Sequence, residues 1–216
     1  MEIEQMKILL ENWREYLAEE EDKKIIALVP GKFKPPHAGH LEMVKHYAEL
    51  KNVDIVKVMI SPIPKDGVSW EDSKAIWEIY LRDAGIYNVT VMRSPQNSPV
   101  GAVFDYVGNK DNDPALGQPG DQVILGASTK GGDESRFAGN VQKYAREGIT
   151  VLDPMKYVFN PAPSPLDATD FRSALVNKED ITPWLPITSQ GEESVEEITN
   201  ILDANSEEED INETSS

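Results

Sequence analysis

Ile25-Ile26-Ala27-Leu28-Val29-Pro30-Gly31-Lys32-Phe33-Lys34-Pro35-Pro36-His37-Ala38-Gly39-His40 is a short apolar run that empties into a turn of glycine, proline and lysine. A helical spacing follows in Leu41, Val44 and Ala48. The run Ile25 to Val29 reads as a strand and His40 to Leu50 as a helix. A strand that passes through a tight turn into a helix is the opening unit of a doubly wound sheet, in which ligands bind beyond the carboxyl ends of the strands.

The same alternation continues outward. Val53 to Ile60 reads as a second strand. Ser69, followed by Glu71 and Asp72, is a helix start with acidic groups near the positive end of the dipole, and that helix should run to about Asp83 before Gly85 ends it. Val89 to Met92, Gln122 to Leu125 and Ile149 to Leu152 are further strand candidates. Helical stretches fall at Val100 to Val107, Ser135 to Arg146 and Ala168 to Val176, while Asn109 to Gly120 reads as an exposed loop and Pro161 to Pro165 as a stiff connection. Strands alternating with helices imply right-handed crossovers, so the expected fold is a Rossmann-like α/β domain: a doubly wound parallel sheet of about five strands with helices on both faces.

Charge divides the chain into three. From Glu192 to Ser216 there are ten acidic residues and no basic ones, and from Met1 to Lys24 eight acidic against four basic. The net charge of −17 therefore sits mainly at the ends, and the middle, with twenty acidic and seventeen basic residues, can accept a polyanionic ligand. The expected organisation is an amphipathic helical extension over 1–22, the α/β domain over 23–190 and an acidic tail over 191–216, disordered apart from a short helix at Val195 to Leu202. Ile3, Met6, Leu10, Trp13 and Leu17 lie on one helical stripe, which suits packing on the domain, self-association or docking in a partner's groove.

With no cysteine and three histidines, a disulfide scaffold and thiolate chemistry are excluded and a dedicated zinc site is disfavoured. No apolar run reaches the roughly 20 residues that span a bilayer, and no signal-peptide pattern opens the chain, so no membrane partner and a cytoplasmic location are expected. Nucleic acid is not an expected partner either.

The opening turn carries the chemistry. Gly31 lets backbone come close to a phosphate, Pro35 and Pro36 stiffen the approach to the helix, and His37 and His40, three residues apart, project from one side of its first turn. Free N–H groups at the helix start favour an anion at the same place, and Lys32 and Lys34 add cations.

Gly31-x-Phe33-x-Pro35-x-His37-x-Gly39-His40 resembles the GxFxPxHxGH signature of nucleotidylyltransferases, among them the nicotinamide-mononucleotide, pantetheine-phosphate and glycerol-3-phosphate members, with every defined position matched. Leu125-Gly126, then Asp133 and Arg136-Phe137, is similar to the fourth-strand glycine and D-x-x-RF pattern of these enzymes. Asp167-Ala168-Thr169-Asp170-Phe171-Arg172 is similar to their second phosphate-binding motif, with Asp167 where a serine is usual. The stretch from Met6 to Glu21 also resembles leader segments of some bacteriophage-encoded proteins.

What the resemblance implies is transfer of a nucleotide, AMP rather than CMP, from ATP or CTP to a phosphorylated small molecule. The acceptor attacks in line and pyrophosphate leaves, without a covalent enzyme intermediate. His37, His40, Lys34 and Arg172 would be catalytic. Gly31, Lys32, Phe33, Gly39, Gly126, Asp133, Arg136 and Thr169 would bind the nucleotide, and Lys74 and Lys130 the acceptor's phosphate. Magnesium would be held mainly by the nucleotide. Two other readings stand beside this one: a module of the same fold that binds nucleotide without turnover, and a fragment related to class I aminoacyl-tRNA synthetases, which share the HxGH turn but carry a KMSKS-like loop that is absent here.

Overall fold

The computed structural model describes residues 6–7, 13, 24–130, 137, 141–161 and 168–203. Its order of regular elements is β1 (Ile25–Gly31), α1 (Ala38–Ala48), β2 (Ile55–Ile60), α2 (Trp70–Ala84), β3 (Val89–Arg93), α3 (Pro99–Gly108), β4 (Gln122–Leu125), β5 (Thr150–Val151), α4 (Ala168–Val176) and α5 (Glu192–Asp203). All the strand pairs are parallel, in the order β3-β2-β1-β4-β5. The strand order therefore reverses beside β1, whose carboxyl end carries the glycine–proline turn, so the turn lies where a doubly wound sheet binds its ligands.

Strand periodicity explains how β1 serves two cores. Ala27 and Val29 face one apolar cluster, built with Leu41 and Val44 of α1, Ile76, Trp77 and Tyr80 of α2, Phe171 of α4 and Ile198 of α5. Ile26 and Leu28 face the other, with Ala102, Val103, Tyr106 and Val107 of α3. A strand buried on both faces reads as a continuous apolar run, which is how Ile25 to Val29 looks in the sequence. Trp77 and Tyr80 are both fully buried, as expected of core residues.

The α2 boundaries follow from local chemistry. Ser69 Oγ accepts from Asp72 N at 3.1 Å and the Asp72 carboxylate accepts from Ser69 N at 2.7 Å, a reciprocal capping box. Gly85, left-handed at φ 65°, closes the other end.

The tail differs from expectation. An acidic tail, disordered apart from a short helix at Val195 to Leu202, was expected beyond residue 190; the helix runs from Glu192 to Asp203, three turns, and is packed, with Ile198 fully buried in the first core. Its acidic face is answered by Arg82, which donates to Glu197 at 3.0 Å, while Ser194 donates to Asp83 at 2.8 Å. Counting charges misjudged this segment because the apolar residues Val195, Ile198, Ile201 and Leu202 lie on one stripe and need no aromatic to pack.

A helix was also expected over 135–146. Among its described residues Val141–Tyr144 form one 3-10 turn, held by Gln142, whose side chain bonds Ile149 O and Val151 N beside β5. The stripe expected over 1–22 lies almost wholly outside the described residues; Met6 and Trp13 are exposed. No described helix is long and apolar enough to cross a membrane.

Candidate active site

The turn after β1 is built around Phe33. Its backbone is left-handed at φ 51°, an unfavourable conformation for a bulky residue that persists only where packing fixes it. The ring folds back over Gly31, where an added Cβ would fall on it. It meets His40 edge-on at 4.9 Å and Trp77 at 5.5 Å. Gly31 and Phe33 are thus a matched pair: the missing side chain admits the ring, and the ring, 4% exposed, backs His40. Phe33 borders the cleft as a supporting wedge, and the space at Gly31 is taken by that ring.

His37 and His40 form the N-terminal cap of α1. Gly39 N donates to His37 Nδ1 at 3.1 Å, and His37 N donates to His40 Nδ1 at 3.2 Å. An Nδ1 that accepts carries no proton, so each neutral ring holds its proton on Nε2. The rings stack with centroids 3.7 Å apart. A Cβ on Gly39 would sit 3.2 Å from the His37 ring, so this position too is small to make room for an imidazole. The His40 pKa is held well below the usual histidine value by burial, then by the charge of His37 and that of Lys130. At neutral pH His40 is an uncharged donor whose orientation is set by its own helix.

Beside the pair lies a cleft of about 550 Å³ at the carboxyl ends of β1, β2 and β3, bordered by His40, Lys32, Lys34, Lys65, Thr169 and Arg172 among others. Four of these carry positive charge, and no carboxylate is among the described residues that line it. Lys32 is exposed. Lys34 is 2% exposed and its ammonium has no hydrogen-bond partner. Burial lowers its pKa to about 8, against the opposing attraction of Asp72 and Glu71. Leaving a buried ammonium unpaired is costly, and an anion drawn into the cleft would relieve that cost.

The α4 side closes the cleft. Arg172 donates to Lys34 O at 3.0 Å and to Thr169 Oγ1 at 3.2 Å, and its Nε lies 2.6 Å from Asp66 Oδ2. Thr169 and Arg172 therefore stand with the opening turn although they follow it by more than 130 residues in the chain, as the separation of 138 between Arg172 and Lys34 records.

Not every expected residue joins them. Gly126 does not border the cleft: its N–H donates to Leu28 O at 2.7 Å, and a Cβ there would lie 2.8 Å from that oxygen. Close approach of β1 and β4 thus accounts for this glycine. Lys74 pairs with Glu78 at 3.1 Å on α2 and is not a lining residue. Lys130 is exposed and acts on His40 through its charge. Asp133, Arg136 and Asp167 lie outside the described residues. His46, outside the cleft, is half-buried with Nε2 3.1 Å from Tyr157 O.

Lys65, Met43 and Ser98 to Val100 border the cleft without having been singled out. Lys65 could have been found, because it follows the second strand of a parallel sheet, where connecting loops meet the ligand. Met43 carries no such signal.

No protein-family model and no curated protein matches the chain. Among solved structures it is similar to a bifunctional NMN adenylyltransferase/ADP ribose pyrophosphatase from Francisella tularensis, with TM-score 0.55 and 18% identity over 83% of this chain and 50% of that one. The complex of such an enzyme from the same organism with AMP and a manganese ion gives TM-score 0.52 at 18% identity, covering 83% and 49%. A Plasmodium falciparum nicotinic acid mononucleotide adenylyltransferase complexed with NaAD gives TM-score 0.48 at 11% identity, covering 82% and 95%. The chain spans about half the length of the Francisella proteins. At this identity the likeness is one of fold: a five-stranded, Rossmann-like α/β architecture.

Proposed function

We propose that the protein is a nucleotidylyltransferase that moves a nucleotide, AMP in preference to CMP, from a magnesium-bound NTP to a phosphorylated small molecule. The observation that carries this is the ammonium of Lys34, buried without a hydrogen-bond partner at a cleft that has four cationic side chains and no carboxylate among its described lining residues and that His40 of the stacked imidazole pair borders. An oxygen of the acceptor's phosphate attacks the α-phosphorus in line. The bond from that phosphorus to the bridging oxygen breaks, and pyrophosphate leaves with the electron pair. The acceptor is already an anion, so no general base is required, and the protein contributes alignment and charge stabilisation.

In this reading the Nε2–H of His40, with that of His37 behind it, donates to phosphate oxygens, and Lys32, Lys34 and Arg172 offset the triphosphate charge. Among the described residues no three His, Cys, Asp or Glu side chains could hold an ion together. Magnesium is taken to arrive as part of the substrate. Nicotinamide mononucleotide is the first acceptor to test, on the strength of the sequence motif and of what the Francisella neighbours are named for.

The test is to incubate the purified chain with each NTP, magnesium and a panel of phosphate esters and to follow pyrophosphate. Release that depends on the acceptor is expected with ATP, and silence across the panel would reject the proposal. A second reading, nucleotide binding without turnover, draws support from Arg172 being already engaged by Asp66. It predicts NTP binding with no product.

A further inference from the structure

The connection between β2 and α2 contains a minimal hairpin, closed by Lys65 N to Val68 O at 3.1 Å and Val68 N to Lys65 O at 3.0 Å. Its two central residues, Asp66 at φ 50° and Gly67 at φ 76°, are both left-handed, the form that suits a two-residue hairpin turn. This turn presents the Asp66 carboxylate to Arg172 at 2.6 Å. The two partners differ in setting: the Arg172 side chain is 11% exposed, whereas that of Asp66 is 50% exposed.

We propose that Asp66 is a resident counter-ion that occupies Arg172 in the empty cleft and is displaced by the incoming polyphosphate, so that it sets which anions the site accepts. The inference rests on the reading that this cleft takes a nucleoside triphosphate. Two neutral acceptors, Lys34 O and Thr169 Oγ1, already fix the plane of the guanidinium, so Asp66 is not needed to orient it. A half-exposed ion pair contributes little and exchanges readily with solvent. A guanidinium–phosphate contact is charge-assisted and can be bidentate. A carboxylate left on Arg172 beside a triphosphate would repel it. A ligand with several charges gains enough from Lys32, Lys34 and Lys65 to displace Asp66, and a monoanion does not.

The experiment is calorimetric titration of the full chain with ATP and with inorganic tripolyphosphate, for wild type, Asp66→Asn, Asp66→Glu, Arg172→Ala and the double variant Asp66→Asn/Arg172→Ala. Asp66→Asn should bind both ligands about fivefold more tightly, the scale of one exposed ion pair. Asp66→Glu should return to wild-type affinity. The gain should vanish in the Arg172→Ala background, which separates displacement from a general change in surface charge. Unchanged or weaker binding by Asp66→Asn, or a gain that survives loss of Arg172, would overturn the counter-ion role while leaving the nucleotide reading in place. Wild type that binds neither ligand would overturn both.

Discussion

The guanidinium of Arg172 holds the carbonyl of Lys34 at 3.0 Å, while the ammonium of the same buried lysine has no hydrogen-bond partner. One residue is thus anchored through its main chain and left unsatisfied through its side chain. Folding alone does not favour that arrangement, and it fits a site that takes an anion. Replacing Lys34 with Met keeps the length of the side chain and removes the buried charge. The depression of its pKa from 10.5 to about 8 sets the scale, and we expect stabilisation of about 1–3 kcal/mol, seen as a higher Tm. NTP affinity should fall on the order of 10-fold or more, as loss of a desolvated phosphate partner implies. A variant with lower Tm and unchanged NTP binding would remove Lys34 from the site.

The same lysine predicts a pH dependence. Its folded pKa, lowered to about 8, lies below the unfolded value, so from 8 upward the folded chain sheds a proton that the unfolded chain keeps, and the burial penalty fades. Stability from this group therefore rises with pH in that window, while affinity for a triphosphate falls, because the cation is lost. Titrations near pH 8.5 in buffers of different ionisation enthalpy should show proton uptake on NTP binding. His40 acts on the acid side. Its pKa is held below 6.5, so as pH falls through 6.5 the unfolded chain gains a proton first and stability declines.

His40 serves both as cap and as donor, and two variants separate the roles. His40→Ala loses both, at about 1 kcal/mol of stability for the cap and on the order of 10²-fold in kcat for a donor to developing charge. His40→Gln can still accept from His37 N, as glutamine does at the third position of a capping box. It should keep the wild-type Tm and still lose turnover. If His40→Gln kept near wild-type kcat, the imidazole would be a cap only.

Much of this was legible in the sequence, and the parts that were not share a cause. The strands and helices from Ile25 to Gly108 follow from apolar spacing, Ser69 and Gly85, all local signals. The histidine pair and the lysines were legible because they sit on one turn. What failed to show was long-range: that Asp66 would meet Arg172, and that Gly126 would lie against Leu28 O. Gly31 was legible as a necessary glycine for a different reason from the one the structure gives. The acidic helix Glu192–Asp203 was underestimated because composition averages over the stripe that Ile198 belongs to.

Gly31→Ala tests the wedge. Its new Cβ would fall on the Phe33 ring, and that ring is wedged between His40 and Trp77, so it cannot swing away freely. Overpacking of this kind costs about 1–3 kcal/mol. Phe33 should shift and carry His40 with it, so kcat should drop along with Tm. Wild-type stability for Gly31→Ala would show that the ring has room to move and that the glycine serves another purpose.

Ile198→Ala asks whether the acidic C-terminal helix belongs to the folded domain. Ile198 is fully buried in the cluster that also holds Phe171, one residue before Arg172. Phe171 in turn stacks on Trp184, with centroids 5.8 Å apart and planes 11° from parallel. Truncation at Ile198 opens a cavity in the cluster that Phe171 shares, at about 2–5 kcal/mol for an aliphatic side chain cut to alanine. Because α4 carries Thr169 and Arg172, KM for the NTP should rise together with the loss of Tm. A variant with wild-type Tm would mean that α5 rests on the domain without being part of its core.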